Sequence, residues 1–432
     1  MKIWVDVSGL YHWAGDFTGI QRVVYNLSKE LSSSDTESGL FVFESGSFRE
    51  ISLEDLDQRL KELNKKDKQK KKKWLPNLGP RQVIFYTLVA SKKMVRGSVL
   101  EAPFQSTYNI FRKSYHEIRG LPGHVHIGEI FSKEDIVIVI DGGWQFVGFR
   151  EAIVSKKKKI GFYFIHFVQD LIAYNNPALT NKGADKIIGN YFKNIFNETD
   201  ALIAISESTK NDIEHFLKIN KIANKPRLFT ISLGSNIKPN GQDSPTPPDK
   251  PIPRDFILAV STIEIRKNYL AFYYVYNLAF QKGIKLPHLV IVGRKGWMAE
   301  ETYTLLTKDP KINKDITIIK AHDRELKWLY QNCLFTVFPS FYEGLGLPVA
   351  ESLTYGKGCI SSNTSSMREV GKDLISYVSP YDTAGFLNEI VRLTNKDVRQ
   401  KMEQDIKERY TPVTWDDTFT ELKDIIKQIH EK

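Results

Sequence analysis

The chain has 432 residues, a formal charge of +10 and 41% hydrophobic residues. That length predicts two or more domains, each with its own core, and no run of about 18 apolar residues offers a membrane span. Two cysteines, Cys333 and Cys359, lie inside apolar segments of the same half; they argue against a disulfide framework or a zinc site and fit a reducing cytoplasm.

Met1-Lys-Ile-Trp-Val-Asp-Val reads as a first strand and not as a cleavable signal. Further apolar, β-rich runs follow at Val83–Leu88, Ile136–Ile140, Ile160–Phe167, Ala201–Ile205 and Leu228–Leu233, with helix-like segments such as Ile20–Leu31 and Lys186–Phe196 between them. The stretch from about Ser45 to His124 is the least regular part of this half. A second series of runs lies at Phe256–Val260, His288–Val292, Ile316–Ile319, Leu334–Phe338, Cys359–Ser361 and Ile375–Val378. Continuous apolar runs alternating with helices predict buried parallel strands. Prolines and glycines crowd residues 238–254, which can neither pair as a strand nor continue a helix and so predict a linker. The expected organisation is a first Rossmann-like domain over 1–237, a second over 255–410 and a terminal helical segment over 411–432.

Positive charge is concentrated in two runs, Lys65 to Lys73 and Lys156 to Lys159. The first is followed by Trp74 and Leu75, and the second leads into Ile160–Phe167. Such clusters suit an anionic membrane surface, a nucleic acid or plain solvent; no nucleic-acid motif accompanies them. A dehydrogenase is disfavoured, because the first strand leads to Ser8-Gly-Leu-Tyr-His-Trp without a G-x-G-x-x-G phosphate turn.

The most informative segment is Glu343-Gly-Leu-Gly-Leu-Pro-Val-Ala-Glu351, at the end of the run Leu334–Phe338. Glycines allow a backbone to approach a ligand, and a helix starting near Leu347 offers free N–H groups to anionic oxygens. Glu343 stands before that turn, and Glu351 is expected in the first helical turn, where a carboxylate accepts hydrogen bonds from sugar hydroxyls. Ser340, Gly344, Gly346, Pro348 and Gly356 complete the pattern. The segment resembles the E-x7-E signature of family-4 glycosyltransferases, retaining enzymes of the GT-B fold, in which two doubly wound α/β domains face each other across a cleft.

The resemblance extends along the chain. Val260-Ser-Thr-Ile-Glu-Ile-Arg-Lys-Asn268 is similar to the strand end at which an Arg-Lys pair, here Arg266 and Lys267, grips the donor diphosphate. Val290-Ile-Val-Gly-Arg-Lys-Gly-Trp297 places Gly293 by the donor. Ala321-His-Asp-Arg-Glu-Leu-Lys-Trp-Leu-Tyr330 resembles the short segment whose backbone lies near the nucleotide base, and most of its side chains equally suit an amphipathic helix capped by Asp323. In the first half, Thr18-Gly-Ile-Gln-Arg22 resembles a helix start that sets Thr18 and Gly19 by the donor and Arg22 on the acceptor side, though Arg22 equally suits a structural ion pair. Phe167-Val-Gln-Asp-Leu-Ile172 aligns with a motif that usually reads His-Asp-Leu-Ile-Pro: Gln169 replaces the histidine and Ala173 the proline. Asp170 remains as a candidate catalytic carboxylate, and His166, three residues earlier, as a candidate on the acceptor side. Ser206 and Ser208 suit helix capping.

What the resemblance implies is transfer of a hexose, with retention and without an obligatory metal, from a nucleoside diphosphate sugar to a growing surface polysaccharide; the basic, aromatic-flanked runs suggest that this acceptor is lipid-linked. Glu343 lies near the transferred sugar, Glu351 by the ribose, and Gly344, Leu345, Gly346 and Leu347 along the donor. Asp55-Leu-Asp57, in a polar helical stretch, is a poor diphosphate–metal site. GDP-mannose leads among donors, with UDP-sugars close behind, and the expected location is the inner face of the cytoplasmic membrane. The alternatives are a nucleotide-sugar-binding protein of the same fold without turnover, or a nucleotide-sugar epimerase.

Overall fold

Valine- and isoleucine-rich runs become the strands of two sheets in the computed structural model, which describes residues 1–15, 17, 19–72, 129–140, 142–235 and 244–430. The first sheet contains β1 (Ile3–Asp6), β2 (Ser38–Glu44), β3 (Ser47–Ile51), β4 (Ile136–Val139), β5 (Tyr163–Val168), β6 (Ala201–Ala204) and β7 (Arg227–Thr230), in the order β3-β2-β1-β4-β5-β6-β7. The second contains β8 (Phe256–Val260), β9 (His288–Val292), β10 (Ile316–Ile319), β11 (Thr336–Phe338), β12 (Cys359–Ser362) and β13 (Ser376–Val378), in the order β10-β9-β8-β11-β12-β13. Every pairing is parallel except β2 with β3.

The helices of the first half are α1 (Ser8–Tyr11), α2 (Gly19–Ser32), α3 (Leu53–Lys72), α4 (Phe149–Ile160), α5 (Ile172–Asn175), α6 (Ala184–Ile195) and α7 (Glu207–Ile219). Those of the second are α8 (Leu270–Gln281), α9 (Glu300–Lys308), α10 (Asp323–Asn332), α11 (Leu347–Thr354), α12 (Met367–Gly371), α13 (Thr383–Thr394) and α14 (Lys396–Arg409). The last helix, α15 (Trp415–His430), returns to the first sheet, where Trp415, Phe419, Leu422, Ile425, Ile426 and Ile429 join a core with Val5, Val23, Leu27 and Ile203. Each such buried apolar side chain contributes on the order of 1.5–3 kcal/mol. No described helix is long and apolar enough to cross a membrane.

Both faces of both sheets are covered, which is why the strands read as unbroken apolar runs. Along β5, Ile165 and Phe167 enter one core while Phe164 and Val168 enter the other. Along β8, Ile257 and Ala259 face one core, Phe256 and Leu258 the opposite one. Each sheet reverses its winding once, between β1 and β4 and between β8 and β11, and ligands of doubly wound sheets bind outside the strand carboxyl ends at such switch points.

Three expectations are corrected here. The irregular stretch begins with a β2–β3 hairpin whose loop residues Ser45 and Gly46 both have positive φ (51° and 83°), the geometry of a tight type I′ turn, followed by α3. The run Ile160–Phe167 is not all strand: Ile160 closes α4, and Gly161, with φ of 87°, terminates that helix in the left-handed conformation. The second lysine run is not a free cationic patch. Lys156 pairs with Glu129 at 2.5 Å, Lys157 with Asp200 at 2.6 Å and Lys158 with Glu198 at 2.7 Å, and Lys159 lies 3.9 Å from Glu129. The strand expected at Val83–Leu88, Lys73, Trp74 and linker residues 238–243 lie outside the described residues. Asp55 accepts from Ser52 at the start of α3, and Asp57 accepts from the Tyr25 hydroxyl at 3.0 Å, so both serve the local fold.

Candidate functional site

The carboxyl ends of β8 and β11 lie side by side, and the turns that leave them carry the charged centre of the second domain. After β8 the chain makes a short helical turn, Ile265–Lys267, ended by Asn268 at a positive φ of 54°. The Asn268 amide donates to the carbonyls of Pro339 (3.0 Å) and Pro380 (2.9 Å), pinning this turn to the one after β11. Arg266 and Lys267 are thereby aimed at Glu343. Arg266 donates to Glu343 Oε2 at 2.6 Å, to the Tyr342 carbonyl at 2.9 Å and to Glu264 at 2.8 Å. Lys267 reaches Glu343 Oε1 at 2.7 Å, and the Ser340 hydroxyl donates to the same oxygen at 2.6 Å. Ser365 and Ser366 hold the Glu343 backbone N–H and C=O.

Glu343 is 6% exposed. Burial alone would push its carboxyl up, but Arg266, Lys267 and the Ser340 hydroxyl outweigh it and hold the group down at about 2. Burial pushes Glu264 up against the pull of Arg266 and lowers Lys267 despite its contact with Glu343. An ammonium has three N–H donors and a guanidinium five, so both cations have more donors than the bonds to Glu343, Tyr342 and Glu264 use.

Asp170, just beyond β5, brings a carboxylate from the first domain to this cluster. It accepts from the Ile172 N–H at 3.0 Å, and burial raises its pKa even though Arg266 lowers it. Gly344 explains the close approach: a Cβ there would sit 2.5 Å from the Gln169 carbonyl oxygen. The same turn is gripped from α7, where the Ser206 and Thr209 hydroxyls donate to the Gly344 carbonyl at 2.6 and 3.2 Å. Ser206 also caps α7, while the N–H groups of Glu207 and Ser208 donate to Glu369 of the second domain. Leu345 and Leu347 pack on the first domain's core, and a Cβ on Gly19 would lie 3.5 Å from Leu347. Gly346 turns into α11 with φ of 89°.

Glu351, 4% exposed, is the fifth residue of α11 and so sits one past its first turn. Tyr330 donates to its Oε2 at 2.7 Å, and Arg22 of the first domain to its Oε1 at 2.6 Å. Arg22 also contacts Asp323 at 3.3 Å. Burial raises the Glu351 pKa, with Arg22 and Tyr330 opposing it.

Several sequence expectations need correction. Of the two readings of Arg22, the ion pair is the one seen: it does not stand apart on an acceptor side but bridges the domains to Glu351. His166 does not reach the cleft. Strand alternation points it, with Phe164 and Val168, into an aromatic core where Tyr191, Phe192 and Phe196 surround it. Burial lowers its pKa to about 4. The folded state therefore binds fewer protons than the unfolded one between about pH 4 and 6.5, and stability falls by about 3 kcal/mol as pH drops through that window. Melting curves across this range should show that slope in wild type and a flatter one in His166→Phe. Gly293, expected by the donor, has a further reason to be glycine: a Cβ would run into the Ser261 carbonyl oxygen. The α10 cap is His322 with Glu325, not Asp323. Thr18 lies outside the described residues. Ser340 belongs to the Glu343 pattern in the sequence, whereas Glu264, Tyr330 and Glu369 emerge as partners only in the fold; of these, Glu264 carries a local signal, two residues before Arg266 at a strand end.

Residues 243–409 match the family model described as glycosyl transferases group 1. The similarity to group 1 glycosyl transferases thus lies in the second half of the chain. The serotype-specific mannosyltransferase WbdA of Escherichia coli is 23% identical over 289 residues, covering 63% of this chain and 35% of that protein. The O-antigen chain mannosyltransferase B of Escherichia coli is 30% identical over 128 residues, 29% of this chain and 33% of that one. The chain thus spans about a third of the length of these curated relatives. Among solved structures, a sucrose-phosphate synthase from Thermosynechococcus elongatus superposes with a TM-score of 0.62 at 16% identity, covering 100% of this chain and 99% of that one. An Anabaena protein in complex with UDP and glucose gives 0.56 at 11% identity, covering 99% and 100%. The fold shared with these solved structures is GT-B, two Rossmann-like domains across a cleft.

Proposed function

We propose that this protein transfers a hexose, with retention, from a nucleoside diphosphate sugar to a glycan acceptor. The observation that carries the proposal is the buried, ionised Glu343 held between Arg266 and Lys267 at the β8/β11 switch point, facing Asp170 of the opposite domain. The bond from the anomeric carbon to the diphosphate breaks, and negative charge grows on the departing phosphate oxygen. Arg266, Lys267 and the N-terminus of α11 stabilise that charge. Glu343, kept anionic, faces the positive charge developing on the sugar ring. The acceptor hydroxyl attacks from the face the diphosphate leaves, and its proton passes to Asp170, whose raised pKa makes it the better base. Glu351 holds the nucleotide through a ribose hydroxyl.

Two relatives named as mannosyltransferases favour a mannose donor, and so GDP-mannose, with a lipid-linked polysaccharide as acceptor. Peripheral attachment to the inner face of the membrane now rests on the run from Lys65 alone, since Lys156–Lys159 is paired. Co-sedimentation with anionic liposomes at low salt is the expected result; recovery in the supernatant overturns it.

The donor assignment is tested by thermal shifts with GDP, UDP, ADP and their sugar conjugates. A ligand at a hundredfold excess over its Kd stabilises the fold by about 2.7 kcal/mol. GDP or GDP-mannose should give the largest shift, and Glu351→Ala should lose it. Equal responses in wild type and variant overturn the role of Glu351.

A further inference from the structure

We infer that Tyr330 is a positioning residue for nucleotide recognition: its hydroxyl fixes one oxygen of Glu351 so that the other faces the ribose. The inference rests on the assignment of Glu351 to the nucleotide proposed above. Tyr330 is fully buried in α10, behind Glu351. Its ring stacks on Tyr355, just past the end of α11, with centroids 5.1 Å apart and planes at 10°. The hydroxyl therefore has one fixed direction, along the 2.7 Å bond to Glu351 Oε2.

The two carboxylate oxygens have different kinds of partner. Oε2 is bound within its own domain by a buried, stacked side chain. Oε1 is bound across the cleft by Arg22, a long side chain that also contacts Asp323, whose carboxylate is 63% exposed. Access of a ribose hydroxyl to Oε1 requires Arg22, which belongs to the first domain, to give way, whereas the Tyr330 bond lies within the second domain and does not have to break. A ribose hydroxyl entering the cleft then meets an acceptor whose orientation is already set. The hydroxyl also opposes the effect of burial on Glu351, helping to keep the carboxylate ionised as an acceptor.

The test uses the full chain and four probes: GDP, UDP and their 2′,3′-dideoxy forms, with dissociation constants measured by calorimetry in the cold, below each variant's melting transition. Tyr330→Phe removes one oxygen and keeps the stacked ring. A hydrogen bond to a charged group corresponds to roughly ten- to a hundredfold in affinity, so wild type should prefer the ribonucleotide by that factor. In Tyr330→Phe the preference should fall about tenfold, mainly through weaker binding of the ribonucleotide. If wild type binds both forms equally, the assignment of Glu351 to the ribose is wrong and this inference falls with it. If wild type discriminates and Tyr330→Phe discriminates equally, Tyr330 is a packing residue only. Equal weakening of both forms likewise reduces Tyr330 to packing and overturns the inference.

Discussion

Glu343→Gln is expected to lower transfer by about 10²–10³-fold, the loss typical of removing one preorganised charge-stabilising group. It should also destabilise the second domain. Arg266 and Lys267 are drawn into the interior by that carboxylate, and a buried pair broken on one side costs about 3–5 kcal/mol because the other charge remains. A neutral amide keeps the shape and, with its oxygen toward Ser340 and Lys267, those contacts, but it turns its NH2 toward Arg266, so the loss combines the charge with one acceptor. The pH dependence supplies a second signature. Glu343 has a folded pKa of about 2, below its ordinary value of 4.5, so its stabilisation is full above about pH 4.5 and is lost as pH falls toward 2. Acid unfolding of the variant should lack that component. A nucleoside diphosphate supplies the missing negative charge, so it should raise the melting temperature of Glu343→Gln by more than that of wild type. A variant with wild-type turnover and melting would refute the role given to Glu343.

Arg266→Ala is the second large effect. One guanidinium joins Glu264, Glu343 and the Tyr342 carbonyl, whereas the Lys267 ammonium bonds Glu343. Its removal leaves two adjacent carboxylates with Lys267 alone, and burial already favours the neutral form of Glu264. Loss of about 10²–10³-fold in kcat is expected. Arg266→Lys should recover only part of it, because an ammonium lacks the planar fork needed to hold two carboxylates. Steady-state kinetics at saturating donor check this; full rescue by lysine would show that charge alone matters.

Much of the fold was legible because buried parallel strands leave continuous apolar runs: β8, β9 and β10 occupy the expected residues. The Glu343 turn was legible too, since its glycines and Ser340 are local to one segment, while Ser365 and Ser366 reach it from a separate turn. What lay hidden depends on facing and on distance in space. His166 shares a strand end with Asp170, but alternation with Phe164 and Val168 sends it into the core, a parity already present in the sequence. Arg22 and Glu351 are 329 positions apart, and only the folded chain shows them in contact. The neutralisation of Lys156–Lys159 was equally non-local, because Asp200 and Glu198 arrive from the segment before β6 and Glu129 from the one before β4. The β2–β3 hairpin did leave a signal in Ser45-Gly46 between two short apolar runs.

Sugar transfer itself is tested by release of nucleoside diphosphate from GDP-mannose and from UDP-hexoses, with and without a membrane-extracted lipid-linked glycan, in wild type and Glu343→Gln. The expected result is release that needs the acceptor, a product glycan with the donor's anomeric configuration, and loss of both in the variant. Saturable donor binding with no release under any condition would contradict it and leave a nucleotide-sugar-binding protein of the same fold.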